Sequence, residues 1–221
     1  MLLIPYRSNH EKSLRYKLAL FILLFQVALH IFTIIRPIPS RTSVQEGSSL
    51  LIALMLWNTL YIFLAIIIHP HIIQEIRKID INLGSTVKIL GALLMINLLF
   101  SLIITSETER SVIGLFHELY HKSPWILLLL LIQGAYSEEI FFRLLPISLT
   151  SRSRITSLLI WQFGFALLHI QSGDSWMMVI PIFLSGMVFG YSFQKGCSLH
   201  TVVLAHLLYN TINTFLLIYV F

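Results

Sequence analysis

An all-α, polytopic transmembrane helix bundle of about seven spans is the fold class that the sequence predicts, and three observations predict it. Of the 221 residues, 57% are hydrophobic and only 11% charged, against about 25% charged in soluble domains. Apolar runs close to the length of a membrane span recur along the chain. No segment has the alternating pattern of a barrel strand, and open strands would leave backbone groups unpaired in lipid. The length suits one compact bundle, so residues 1–221 read as a single membrane-embedded domain. The lone cysteine, Cys197, excludes an internal disulfide, and no CxxC pair offers a thiolate metal site. The net charge is +5. Its basic residues lie in short loops between apolar runs, which favours contact with the lipid bilayer over nucleic acid.

Each span needs about 20 mostly apolar residues. The first is Leu18–Ile35. Arg7, Lys12, Arg15 and Lys17 precede it, as in a signal peptide, but it ends at "IRPIPS" with no clear small-residue cleavage site and reads as retained. The second is Leu50–Ile68, followed by "HPHIIQEIRKIDINLGS", whose mixed character suggests an interfacial helix. Ile89–Thr105, Pro124–Thr150, Ile155–Ile170, Trp176–Phe193 and Leu199–Phe221 complete the set. The aromatic belt and packing positions account for Trp57, Trp125, Trp161 and Trp176.

Seven spans put ten Lys and Arg on one side: Arg7, Lys12, Arg15, Lys17, Arg77, Lys78, Lys88, Arg152, Arg154 and Lys195. The other side has four, Arg36, Arg41, Arg110 and Lys122, while Arg143 lies within a span. This asymmetry predicts a cytoplasmic N-terminus and an external C-terminus.

Ionisable groups inside spans are rare, usually face the bundle interior and point to function by default. Three clusters occur, all in the second half of the chain. "GAYSEEIFFRLLP" holds Glu138, Glu139 and Arg143; "FGFALLHIQ" holds His169; "LAHLLYN" holds His206 and Asn210. Glu139 and Arg143 are four apart, with the acid first, so they stack on one helix face as an ion pair. Glu138 is rotated by about 100° from Glu139, cannot share that pairing equally and becomes the candidate general base. His206 and Asn210, also four apart, can aim two donors at one oxygen, as a developing oxyanion requires. At a rise of 1.5 Å per residue, Glu138 lies roughly 14 Å from the cytoplasmic end of its span. His206 and Asn210 lie at roughly 10 and 16 Å, and His169 deeper, at roughly 22 Å. Ser185, Gly186 and Gly190 in the sixth span form a small-residue stripe suited to close helix packing. His30, His69, His71, His117, His121 and His200 lie outside these clusters and read as interfacial or loop residues.

The pattern EExxxR in "EEIFFR", FxxxH in "FALLH" and HxxxN in "HLLYN", in this order on successive spans, resembles the CAAX-protease and bacteriocin-processing (CPBP, or Abi) family of intramembrane proteases. The likeness covers about Trp125 to Phe221, so residues 125–221 read as the motif-bearing protease core, and none of the three motifs departs from the pattern. The resemblance implies an intramembrane endopeptidase that cleaves a peptide or membrane-anchored protein near the cytoplasmic face. Glu138 would activate a water with the help of His169, His206 and Asn210 would form the oxyanion hole, and Glu139 and Arg143 would hold the architecture. Family members have been described both as metalloproteases and as glutamate enzymes. No cofactor is favoured here; if zinc is held, Glu138, His169 and His206 are the expected ligands. For a bacterial chain the resemblance implies the plasma membrane. Two other functions compete: a non-enzymatic bacteriocin self-immunity or interaction protein of the same family, and a proton-coupled transporter. The transporter is disfavoured because its acids lie on one helix and no paired broken segments occur.

Overall fold

The computed structural model describes residues 9–35, 44–101, 119–150, 155–170 and 176–220, and these are helical throughout apart from turns and short connections. The helices are α1 (Asn9–Ile35), α2 (Val44–Ile68), α3 (Ile72–Arg77), α4 (Leu83–Ser101) and α5 (Pro124–Glu138). A π-helical turn over Glu139–Leu144 leads from α5 into α6 (Leu145–Leu149). Then come α7 (Ile155–Leu167), a short 3-10 turn (Trp176–Met178), α8 (Val179–Gln194) and α9 (Leu199–Val220). The predicted all-helical class therefore holds.

Among the described residues five helical segments are long and apolar enough to cross a membrane: Glu11–Phe32, Leu51–Ile68, Leu83–Phe100, Pro124–Leu149 and Trp176–Gln194. The predicted fifth span is shorter, an apolar helix of 13 residues. The predicted seventh is present at 22 residues but is interrupted by His200, His206, Asn210 and Asn213. Between 17% and 44% of the residues in each spanning window are buried within the protein. The remainder is an apolar exterior carrying Phe21, Leu56, Phe63 and Trp125, the surface that acyl chains rather than water accommodate.

Two helix starts differ from the sequence expectation. The Lys12–Lys17 stretch, read as preceding the first span, is already helical: Arg15 pairs with Glu11 at 2.9 Å and also donates to the Ile68 carbonyl. Lys88, assigned to a loop, lies in the second turn of α4. That helix starts early because Asn82 caps it, its Oδ1 accepting the Ser85 N–H at 2.9 Å. The expected interfacial segment does form a short helix, α3, with Ile72 turned into the core. Arg7, Arg36, Arg41, Arg110, Arg152 and Arg154, which entered the charge count, lie outside the described residues.

The helices surround the π turn. Neighbouring contacts run from α1 to α7, α7 to α8, α8 to α4, α4 to α9, α9 to α5 and α5 to α2, while the π turn itself touches α2, α7, α8 and α9. Phe141, Phe142, Leu145 and Trp161 are fully buried there, with the Tyr61 ring of α2 tilted against Phe141 at 4.8 Å and Trp161 edge-on at 5.7 Å. The small-residue stripe of α8 faces α7: a Cβ on Gly190 would fall 2.1 Å from Leu158 Cδ1. The reading of that stripe as packing holds. At its cytoplasmic-predicted end α8 stops at Gly196, whose φ of +89° lets the Cys197 N–H return to the Ser192 carbonyl at 3.0 Å, a closure that L side chains resist.

Candidate active site

The π turn delivers the acids. Residue 146 is a proline, and proline both lacks an N–H and crowds the carbonyl four residues earlier, here Phe142. The backbone responds by widening, and the Leu145 N–H reaches back five residues to the Ile140 carbonyl. In a π turn residues five apart come onto one face as well as those four apart. Arg143 accordingly reaches both acids, Glu139 Oε1 at 3.3 Å and Glu138 Oε2 at 3.9 Å. The unequal sharing expected from the sequence is present, but the difference is smaller than an ideal α-helix gives.

Burial separates the two carboxylates. The side chains of Glu139 and Arg143 are 0% exposed, whereas that of Glu138 is 20% exposed. Only Glu138 can be reached by water or substrate. The guanidinium lies flat over Phe165, 3.9 Å from the ring centroid, with Phe189 at 5.4 Å. This cation–π enclosure supports a charge that makes no hydrogen bond to the described residues.

His169 lies just past the end of α7, in a turn closed by its own N–H to the Ala166 carbonyl at 3.1 Å. Its Nε2 is 3.8 Å from Glu138 Oε1. The depth gap of the sequence reading therefore disappears, because that count treated all spans as upright and starting in one plane. His169 Nδ1 donates to the Phe165 carbonyl at 2.8 Å; a carbonyl only accepts, so in the neutral ring Nε2 is a lone pair aimed at the Glu138 side. His30, which the sequence reading set aside as interfacial, is inside α1 and donates from Nε2 to the Ile170 carbonyl at 2.7 Å. It braces the turn that carries His169. The only sequence signal for it was a lone histidine in an apolar span.

His206 approaches from α9. Its Nδ1 donates to Glu139 Oε1 at 2.7 Å and its Nε2 is 3.7 Å from Glu138 Oε2. Phe189 stacks on the imidazole at 4.6 Å and 29°. Asn210, one turn further along α9, is half-buried. Asn213, a further turn along α9, accepts from Asn97 Nδ2 of α4 at 2.7 Å. Of the residues singled out, Glu138, Glu139, Arg143, His169 and His206 are thus brought together, and Asn210 follows on the same helix as His206. His200, read as a residue near a span end, is buried in the first turn of α9, with Tyr136 edge-on at 5.9 Å.

In this geometry the donor set is not drawn together as a zinc site. A zinc site needs its ligand atoms disposed around one point at about 2.0–2.2 Å. Among the described residues no group of three or more His, Cys, Asp or Glu is arranged to hold a metal ion. Glu138 moreover already faces a buried guanidinium 3.9 Å away, where a dication would meet like charge.

No curated protein and no solved structure matches the chain. Residues 120–212, the part of the chain that carries the three motifs, match the family model described as Rce1-like, type II CAAX prenyl endopeptidase.

Proposed function

We propose that the protein is an intramembrane endopeptidase that hydrolyses a peptide bond in a membrane-anchored, prenylated protein tail. The observation that supports this reading is the convergence of three side chains from separate segments. His169 Nε2 and His206 Nε2 lie 3.8 and 3.7 Å from the two oxygens of Glu138, the one acid of the cluster open to water.

These separations exceed a direct hydrogen bond, and a water beside Glu138 Oε1 and His169 Nε2 can bond both at about 2.8 Å. Both atoms accept, so each takes one O–H and the water's lone pair is left to face a substrate carbonyl. Glu138 takes the proton as the C–O bond forms, and returns it to the leaving nitrogen as the C–N bond breaks. The tetrahedral oxyanion is held by His206 Nε2–H and the Asn210 amide. For His206 to donate from Nε2 while Nδ1–H serves Glu139, the ring must be the imidazolium. Two carboxylates, Glu138 and Glu139, then face two cations, Arg143 and His206. The cycle needs no metal ion, and a chelator is expected to leave the rate unchanged.

The test is a fluorogenic prenylated peptide with the purified protein in lipid. Glu138→Gln is expected to lower kcat by about 10²–10⁴-fold, the usual contribution of a general base, with thermal unfolding unchanged. Wild-type turnover in that variant would remove the proposed base.

A further inference from the structure

The proline that opens the π turn leaves a backbone acceptor without its partner. In an α-helix the Phe142 carbonyl would receive the N–H of residue 146; that residue is Pro146 and has none. The group is deep in the core, where an unpaired carbonyl is unfavourable. It is satisfied from another helix: Gln162 of α7, itself 0% exposed, donates Nε2–H to the Phe142 carbonyl at 2.9 Å. A polar side chain in the middle of an apolar span thus has a specific employment. Space for it is provided from α8, where a Cβ on Gly186 would stand 2.6 Å from Gln162 Oε1.

Gln162 and His169 are carried by the same segment, seven residues apart, and Phe142 lies within the turn that follows Glu138. The bond therefore joins the segment that presents the acid to the segment that presents the histidine. The geometry points to Gln162 as a positioning residue: by capping the carbonyl that Pro146 orphans, it holds the π turn against α7 and so sets the separation of Glu138 and His169. The catalytic significance of that separation rests on the proposed protease reading; the positioning itself does not.

The experiment pairs Gln162→Met, which keeps the length and loses the donor, with Gly186→Ala, which displaces the amide without altering its chemistry. Turnover is measured in lipid well below the unfolding temperature. Each variant is expected to lower kcat at least tenfold with KM changed less than twofold, and the two together are expected to lose no more than either alone, since they break one contact. Gln162→Glu, measured at a pH where the new acid is neutral and can donate, is expected to recover most of the lost turnover. A lower unfolding temperature with wild-type kcat in Gln162→Met would make Gln162 merely structural and overturn the proposal. In parallel, the imidazole nitrogen resonances of His169, assigned by loss of the signal in His169→Gln, are expected to shift in Gln162→Met while those of His71 stay in place. If the wild type cleaves nothing, the protease reading fails, and an unmoved His169 signal would still overturn the positioning role.

Discussion

At the scale of single residues the centre is a compact set of charges whose members differ mainly in access. Glu139 and Arg143 are sealed, and Glu138 is not. Removing one partner of a sealed pair strands the other, typically at a loss of about 3–5 kcal/mol. Arg143→Met is therefore expected to lower the unfolding temperature sharply, followed by tryptophan fluorescence in detergent. The double variant Glu139→Gln/Arg143→Met is expected to recover most of the loss, because no buried charge is left alone and the amide can still meet His206. An unchanged unfolding temperature in the single variant would mean that His206 alone satisfies Glu139. These residues were legible in the sequence because charge inside an oily span is conspicuous and i,i+4 spacing fixes a shared face. His30 and Gln162 were not, since a single polar group in a span does not reveal its partner, and both partners are backbone carbonyls distant in the chain.

At the scale of elements, the tightest seam is between α7 and α8. Gly190 leaves no room for a Cβ beside Leu158, which is 3% exposed. Gly190→Ala is expected to cost about 1–3 kcal/mol by overpacking and to cost much less when Leu158 is already Ala; a double-mutant cycle of unfolding temperatures measures the coupling. Strictly additive effects would show that the helices part without regard to Leu158. The glycine stripe was readable as packing from its spacing, whereas the π turn was not readable from "EEIFFRLLP". Proline announces a disturbed helix, but whether the backbone kinks, breaks or widens depends on what satisfies the freed carbonyl, and that donor is on α7. The start of α4 was misplaced for a related reason: Lys88 was read as loop because of its charge, while the capping signal at Asn82 lay six residues earlier.

At the scale of the whole molecule, α4 and α9 run side by side in the same direction, joined near one end by Thr201 Oγ1 accepting the Asn82 N–H at 2.9 Å and further along by the Asn97–Asn213 amide bond at 2.7 Å. Both therefore begin on one face of the bundle, together with the exposed Lys195 and Arg77. The charge asymmetry of the sequence predicts that this face is cytoplasmic. In a Cys197→Ser background, Lys195→Cys and Arg77→Cys are expected to resist an impermeant maleimide in intact cells and to react once the membrane is opened; labelling of intact cells would invert the topology. The fold class was legible from composition, because a chain with so few charges has only lipid to face. The number of full crossings was harder to read, because α7 is short and α9 carries polar groups, and hydropathy weighs both against the average span.

The shortness of α7 has a mechanical consequence. Thirteen residues rise about 20 Å, against a hydrocarbon layer of about 30 Å, and the histidine of the centre sits just beyond its end. A leaflet that dimples there, or headgroups and solvent that descend to meet the protein, would give the hydrolytic water of the proposed protease a short route in. Reconstitution into vesicles of progressively longer acyl chains is expected to slow turnover as the dimple becomes harder to form, and a rate indifferent to chain length would show that solvent arrives by another path.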